Sequence, residues 1–154
     1  MSPYAKDTAV PVERTRIEIE ETLRRFGAEA FSSGYEGRRS FINFRAQGRM
    51  IRLVLELPDR SSRAFKVSPT GRARSAESAA TAYEAECRRR WRALALLVKA
   101  KLAGIADGIT TFDEEWLPHI VTRDGRTVAD IIAPQLGAGG PLRLAGPEKG
   151  GEGS

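Results

Sequence analysis

The chain has 154 residues, one histidine, one cysteine and a formal net charge of +5. Cys87 alone excludes an intramolecular disulfide, and one Cys with one His excludes the usual zinc ligand sets. With 41% hydrophobic and 29% charged residues, the composition fits one globular domain large enough to bury a core, and no apolar run approaches the ~20 residues of a membrane span.

Residues 1–11, with Pro3 and Pro11, read as an extended arm ahead of a single domain spanning 12–136. Thr15 and Glu18 have capping-box spacing, which predicts a helix opening near Thr15. Ile19, Leu23 and Phe26 follow at helical intervals, and Gly27 is placed to end the helix. A three-stranded antiparallel meander comes next, with strands over about 28–35, 39–46 and 49–57. Glu36-Gly37 and Gln47-Gly48 mark the two connections. A two-residue loop at Gln47-Gly48 would set Phe44 against Ile51 and Ile42 against Leu53. Ile42, Phe44, Ile51, Leu53, Leu55 and Leu57 then share one face, which Phe31 can join. Arg39, Phe41, Asn43, Arg45, Met50, Arg52, Val54 and Glu56 share the other.

Pro58 closes the third strand, and 59–74 read as a long basic loop, either functional or mobile. A long helix is predicted from Ser75, its N-cap, to about Ala106. Its apolar stripe is Cys87, Trp91, Leu94, Val98, Leu102 and Ile105, with Arg88, Arg89, Arg92 and Lys99 on the far side. Glu84 and Glu86 precede Arg88 and Arg90 in the favourable order for helical ion pairs. Arg90 and Lys101 fall at the margin of the stripe, positioned to snorkel or to reach over the sheet. Thr111 and Glu114 predict a further capping box, Asp124-Gly125 a turn, and Val128–Leu136 a last short helix. The Gly/Pro-rich residues 137–154 read as a disordered tail. The fold class is therefore α+β: an N-terminal helix, a meander packed on a long helix, and short C-terminal helices.

The charge is concentrated. Between Arg38 and Arg74 stand nine arginines and one lysine against only Glu56 and Asp59. That local excess is larger than the excess of the whole chain, and it suits a polyanionic partner. The chemical inventory offers nothing to compete with it. No phosphate-binding glycine loop, dinucleotide fingerprint or nucleophile elbow is present. Cys87 lies on the apolar stripe, where a thiol behaves as a small hydrophobe. Asp113-Glu114-Glu115 read as the acidic first turn of a helix. The expectation is a non-enzymatic protein with no cofactor and no metal. The expected nucleic-acid-binding residues are Arg39, Phe41, Arg45, Arg49, Arg52, Arg63, Lys66, Arg72 and Arg74, forming a continuous cationic groove. In it, arginines would hold phosphates, Phe41 would stack on a base, and the 59–74 loop would close over the strand. The alternative is a protein-interaction factor, a host-takeover or anti-defence inhibitor or an assembly adaptor, whose cations would meet an acidic protein surface. Assembly of several copies stays open.

Several segments, Val10-Pro11-Val12, Leu23-Arg24-Arg25-Phe26-Gly27, the run from Phe44 to Leu53, Leu57-Pro58-Asp59-Arg60, the run from Cys87 to Leu102, and Asp124 to Val128, resemble a family of small bacteriophage and prophage proteins. The likeness covers roughly residues 4–136. It implies a phage setting in the bacterial cytosol and transfers no catalytic residues. Three antiparallel strands followed by a long helix is also similar in topology to the core of single-strand annealing proteins, which grip single-stranded DNA in a basic groove. That likeness implies a role in replication or recombination. The membrane is not an expected partner: the opening residues lack the apolar stretch of a secretory leader.

Overall fold

The computed structural model describes residues 9–137 and 140–142. The expected arm (1–11) and tail (137–154) therefore lie largely outside the described residues. The elements run α1 (Val12–Arg25), β1 (Glu29–Glu36), β2 (Arg39–Ala46), β3 (Arg49–Glu56), α2 (Arg63–Lys66), α3 (Ala76–Ala106), α4 (Phe112–Trp116), a 3-10 turn at Leu117–His119, α5 (Val128–Ile132) and a second 3-10 turn at Ala133–Gln135. The protein is α+β, as its periodicities predict.

The meander has the order β1-β2-β3. Its second hairpin turns on Gln47 and Gly48, with φ of 52° and 70°. Two positive φ values in a two-residue loop match the twist of the flanking strands and fix the register. Ala46 faces Arg49, Phe44 faces Ile51 and Ile42 faces Leu53. A one-residue slip would turn every apolar side chain outward, so register and core specify each other. Ile42, Phe44, Ile51 and Leu53 are buried, with Phe31, Leu55 and Leu57 packed at their margin.

This sheet face lies on α1 and α3. Ile19 and Leu23 enter from α1, and Trp91, Leu94, Ala95, Val98 and Leu102 from α3. Ser75 caps α3 as predicted, its Oγ accepting the Ser78 N–H at 3.1 Å. Trp116 closes the core from α4, edge-on to Phe44 with ring centroids 5.6 Å apart. After α4 the chain returns to the sheet edge, where Ile120 bridges Ile51 and the Val121 N–H bonds the Met50 carbonyl at 2.8 Å. Among the described residues, no helix is long and apolar enough to cross a membrane.

Local expectations are corrected at four places. Helix α1 opens three residues early, after Pro11, so Thr15 is not a cap. Pro11, with φ of −58°, sits just before the first turn, where its missing N–H leaves no helical bond unmade, and Thr15 falls on the buried face. Thr111 does cap α4, accepting the Glu114 N–H at 3.2 Å, but Glu114 turns to the Thr110 hydroxyl. The reciprocal box instead forms at Thr127 and Asp130. The last helix is shorter than predicted and passes into a 3-10 turn at Pro134, which cannot continue the α-helical bonding. Finally, 59–74 is folded. Asp59 takes the Ser61 N–H and hydroxyl, α2 buries Phe65, and Val67 bridges Ala73 around a turn at Ser68–Gly71.

Thr15 carries a testable cost. It is fully buried, and its Oγ1 finds no hydrogen-bond partner among the described residues. An orphaned buried hydroxyl penalises the fold, so Thr15→Val is expected to raise stability by about 1 kcal/mol. A urea midpoint that falls instead would show the hydroxyl is bonded in solution.

Candidate nucleic-acid interface

Position on the sheet decides what each arginine can do. Arg39, Phe41, Arg45 and Arg52 stand on the face away from the core, as the alternation predicts. That face is not an open cationic platform. Arg39 is exposed, but in register it lies between Glu36 on β1 and Glu56 on β3. Arg45 has Glu29 4.0 Å away. Arg52 donates to Asn43 Oδ1 at 3.0 Å and to the Gly125 carbonyl at 2.9 Å, pinning the C-terminal turn to the sheet. Asp130 also approaches. Its carboxyl is held below the ordinary value first by the Thr127 hydrogen bonds, with the charges of Arg39 and Arg52 adding to them.

Phe41 has its own use. It pairs with Gly34 across the strands, and a Cβ added to Gly34 would come within 2.8 Å of the Phe41 ring. The ring therefore lies over the glycine and covers backbone that no side chain protects. Arg49 is on the other face altogether, opposite Ala46. Its Nε and Nη2 both reach the Asp113 carboxylate at 2.9 Å, a two-pronged pair that ties β3 to α4.

The cations of the 59–74 segment have a different environment. Five of them (Arg60, Arg63, Lys66, Arg72 and Arg74) face a single carboxylate, Asp59. Hydrogen bonds from Ser61 lower the pKa of Asp59, with Arg38 and Lys66 contributing charge. Arg74 is half-buried and staples the segment to the start of α3 through Val67 O and Ser78 Oγ. Arg63, Lys66 and Arg72 are exposed, and among the described residues none has a carboxylate within ion-pair distance. The sequence-predicted set thus splits: Arg63, Lys66, Arg72 and Arg74 share one folded knob, while on the sheet Arg45, Arg49 and Arg52 are engaged and Arg39 stands exposed between two glutamates in register.

The helix arginines are also committed. Glu86 accepts from Arg89 and Arg90, and Arg90 reaches across to the Glu56 carbonyl at 2.7 Å. Arg92 and Lys99 both bond Glu18 on α1, at 2.5 Å each. Lys101 donates to the carbonyl and carboxylate of Glu115 and lies 5.7 Å from the Trp116 ring centre. A groove of about 1360 Å³ runs between the end of β3, α2 and the first turns of α3. Leu57, Pro58, Phe65, Ala82 and Ala85 give it apolar lining, and four arginines on its walls are matched by four acids.

Cys87 is buried, and burial pushes its thiol pKa up. The Tyr83 hydrogen bond and the charges of Arg60 and Arg90 pull the other way, but burial outweighs them and keeps the thiol protonated. His119 has its pKa lowered by burial and by the nearby Lys101. Among the described residues no three of His, Cys, Asp and Glu gather to hold a metal ion. The sequence places Arg60 among the cations of the basic loop but does not show its contact: the guanidinium lies over the Tyr83 ring at 4.2 Å. Its signal was the arginine-rich turn itself; the tyrosine partner is 23 positions away and was not legible. The fold and this distribution of charge stand without a relative to compare: no family model, no curated protein and no solved structure matches the chain.

Proposed function

We propose that this is a non-enzymatic nucleic-acid-binding protein, acting on single-stranded DNA as an accessory to phage replication or recombination in the host cytosol. One observation carries the reading. Arg63, Lys66 and Arg72 project from a folded knob with no carboxylate in contact among the described residues, while most other cations of the basic stretch are engaged. Cations on a folded backbone with no ion pair among the described residues can meet phosphates without first breaking one. The sheet arginines, each beside a carboxylate or a hydrogen-bond acceptor, would add only background attraction.

Binding of a fluorescent oligonucleotide by the intact chain tests this. Affinity is expected to fall steeply with salt as counterions are released. Arg63→Ala, Lys66→Ala and Arg72→Ala together should lower the log–log salt slope by about 2. Arg39→Ala with Arg45→Ala should change it much less. Absence of oligonucleotide binding at low salt would remove the proposal and leave an acidic protein as the partner of the knob.

A further inference from the structure

The knob accounts for phosphate binding but not for a choice between single and double strands. Arg60 supplies a feature that bears on that choice. It leaves Pro58-Asp59 just before α2, and its guanidinium sits over one face of Tyr83. Phe65 of α2 meets the same ring nearly edge-on, with centroids 5.6 Å apart and planes at 79°. Tyr83 is half-buried and Arg60 is exposed. Among the described residues Arg60 has no carboxylate within ion-pair distance; its contacts are with Tyr83, whose ring it covers and whose hydroxyl it also approaches. A guanidinium lodged on an aromatic ring is both charged and planar, and its far side faces water.

We propose that the Arg60–Tyr83 pair is a stacking platform for one unstacked base, and that it gives the knob its preference for single strands. The inference rests on the reading of the knob as the phosphate-binding surface. Nucleobases stack on arginine planes as they do on aromatic rings, and only an unpaired base can leave its neighbours to do so. Phosphates flanking that base would fall to Arg63 and Lys66 on α2, the element that also brings Phe65 edge-on against Tyr83. The platform is prepared before ligand arrives, because Tyr83 and Phe65 already fix its lower surface.

Arg60→Lys separates plane from charge. The probe is an oligothymidylate carrying one 2-aminopurine, whose emission is quenched on stacking, alongside a duplex of equal length. The Lys variant is expected to bind the single strand about tenfold more weakly. Its quenching should be lost, its salt slope retained and its duplex affinity unchanged. If Arg60→Lys binds and quenches like the parent while the Arg63/Lys66/Arg72 triple variant loses affinity, the platform is wrong and the knob stands. If the parent chain binds no oligonucleotide, both readings fall together.

Discussion

Trp116→Ala is expected to lose about 3–5 kcal/mol of stability, enough to leave a marginal domain largely unfolded at 37 °C. The side chain is fully buried. It touches Phe44 from the sheet, Phe112 from its own helix and His119 from the following turn, and Lys101 of α3 lies over it. Removing it opens a cavity where four parts of the chain meet, and no neighbouring side chain is placed to fill it. The C-terminal turn should suffer first, since Ile120 and Val121 reach the edge of β3 from the turn that packs on this indole. Trp116→Phe makes the control. It keeps an aromatic ring and deletes an indole N–H that has no partner among the described residues, so relief of that orphan offsets part of the lost volume. A cost under about 1.5 kcal/mol is expected for it. Urea unfolding followed by far-ultraviolet circular dichroism measures both. Hydrogen exchange across 117–132 shows whether protection disappears there ahead of the sheet. An alanine variant within 1 kcal/mol of the parent would mean that Trp116 does not hold the core closed.

The architecture was legible because its signals are local and redundant. Alternation over 39–46 and 49–57 gave the strands, the Gln47-Gly48 pair gave their register, and the stripe from Cys87 to Ile105 gave the long helix. Each is a property of neighbours in sequence. The candidate site was legible only as a charge excess. Whether an arginine is available depends on what lies beside it in space, and here those partners come from far away. Arg49 meets Asp113 and Arg52 meets Gly125, each across more than sixty positions. Even Phe41, correctly placed on the outer face, had its ring claimed by Gly34. Residues 59–74 were misjudged for a related reason. Pro69 and Gly71 are common in loops, but here they shape a tight turn between bridged residues, and a buried Phe65 anchors the whole.

Glu18 shows how such distant pairing holds the helices together. Its carboxylate receives Arg92 and Lys99 from positions two turns apart on α3, and these hydrogen bonds, first Arg92 and then Lys99, draw its pKa from 4.5 to about 2. A carboxyl that ionises more easily in the folded chain than in the unfolded one stabilises the fold above the unfolded value. The contribution should be complete above about pH 4.5 and disappear as pH falls toward 2. Since the side chain keeps some contact with water, screening reduces the contribution to about 1–2 kcal/mol. Glu18→Gln retains the shape and one acceptor but not the charge, and it leaves Arg92 and Lys99 facing each other uncompensated. Its unfolding free energy at pH 7 should fall by about that amount, and the gap to the parent should narrow steadily as both are acidified. Added salt should narrow the gap at pH 7 as well, because the pair is only partly shielded from ions. Urea melts at pH 7, 4 and 3 would decide the matter: a deficit that stays constant with pH would trace the effect to packing between α1 and α3, with no part played by the charge on Glu18.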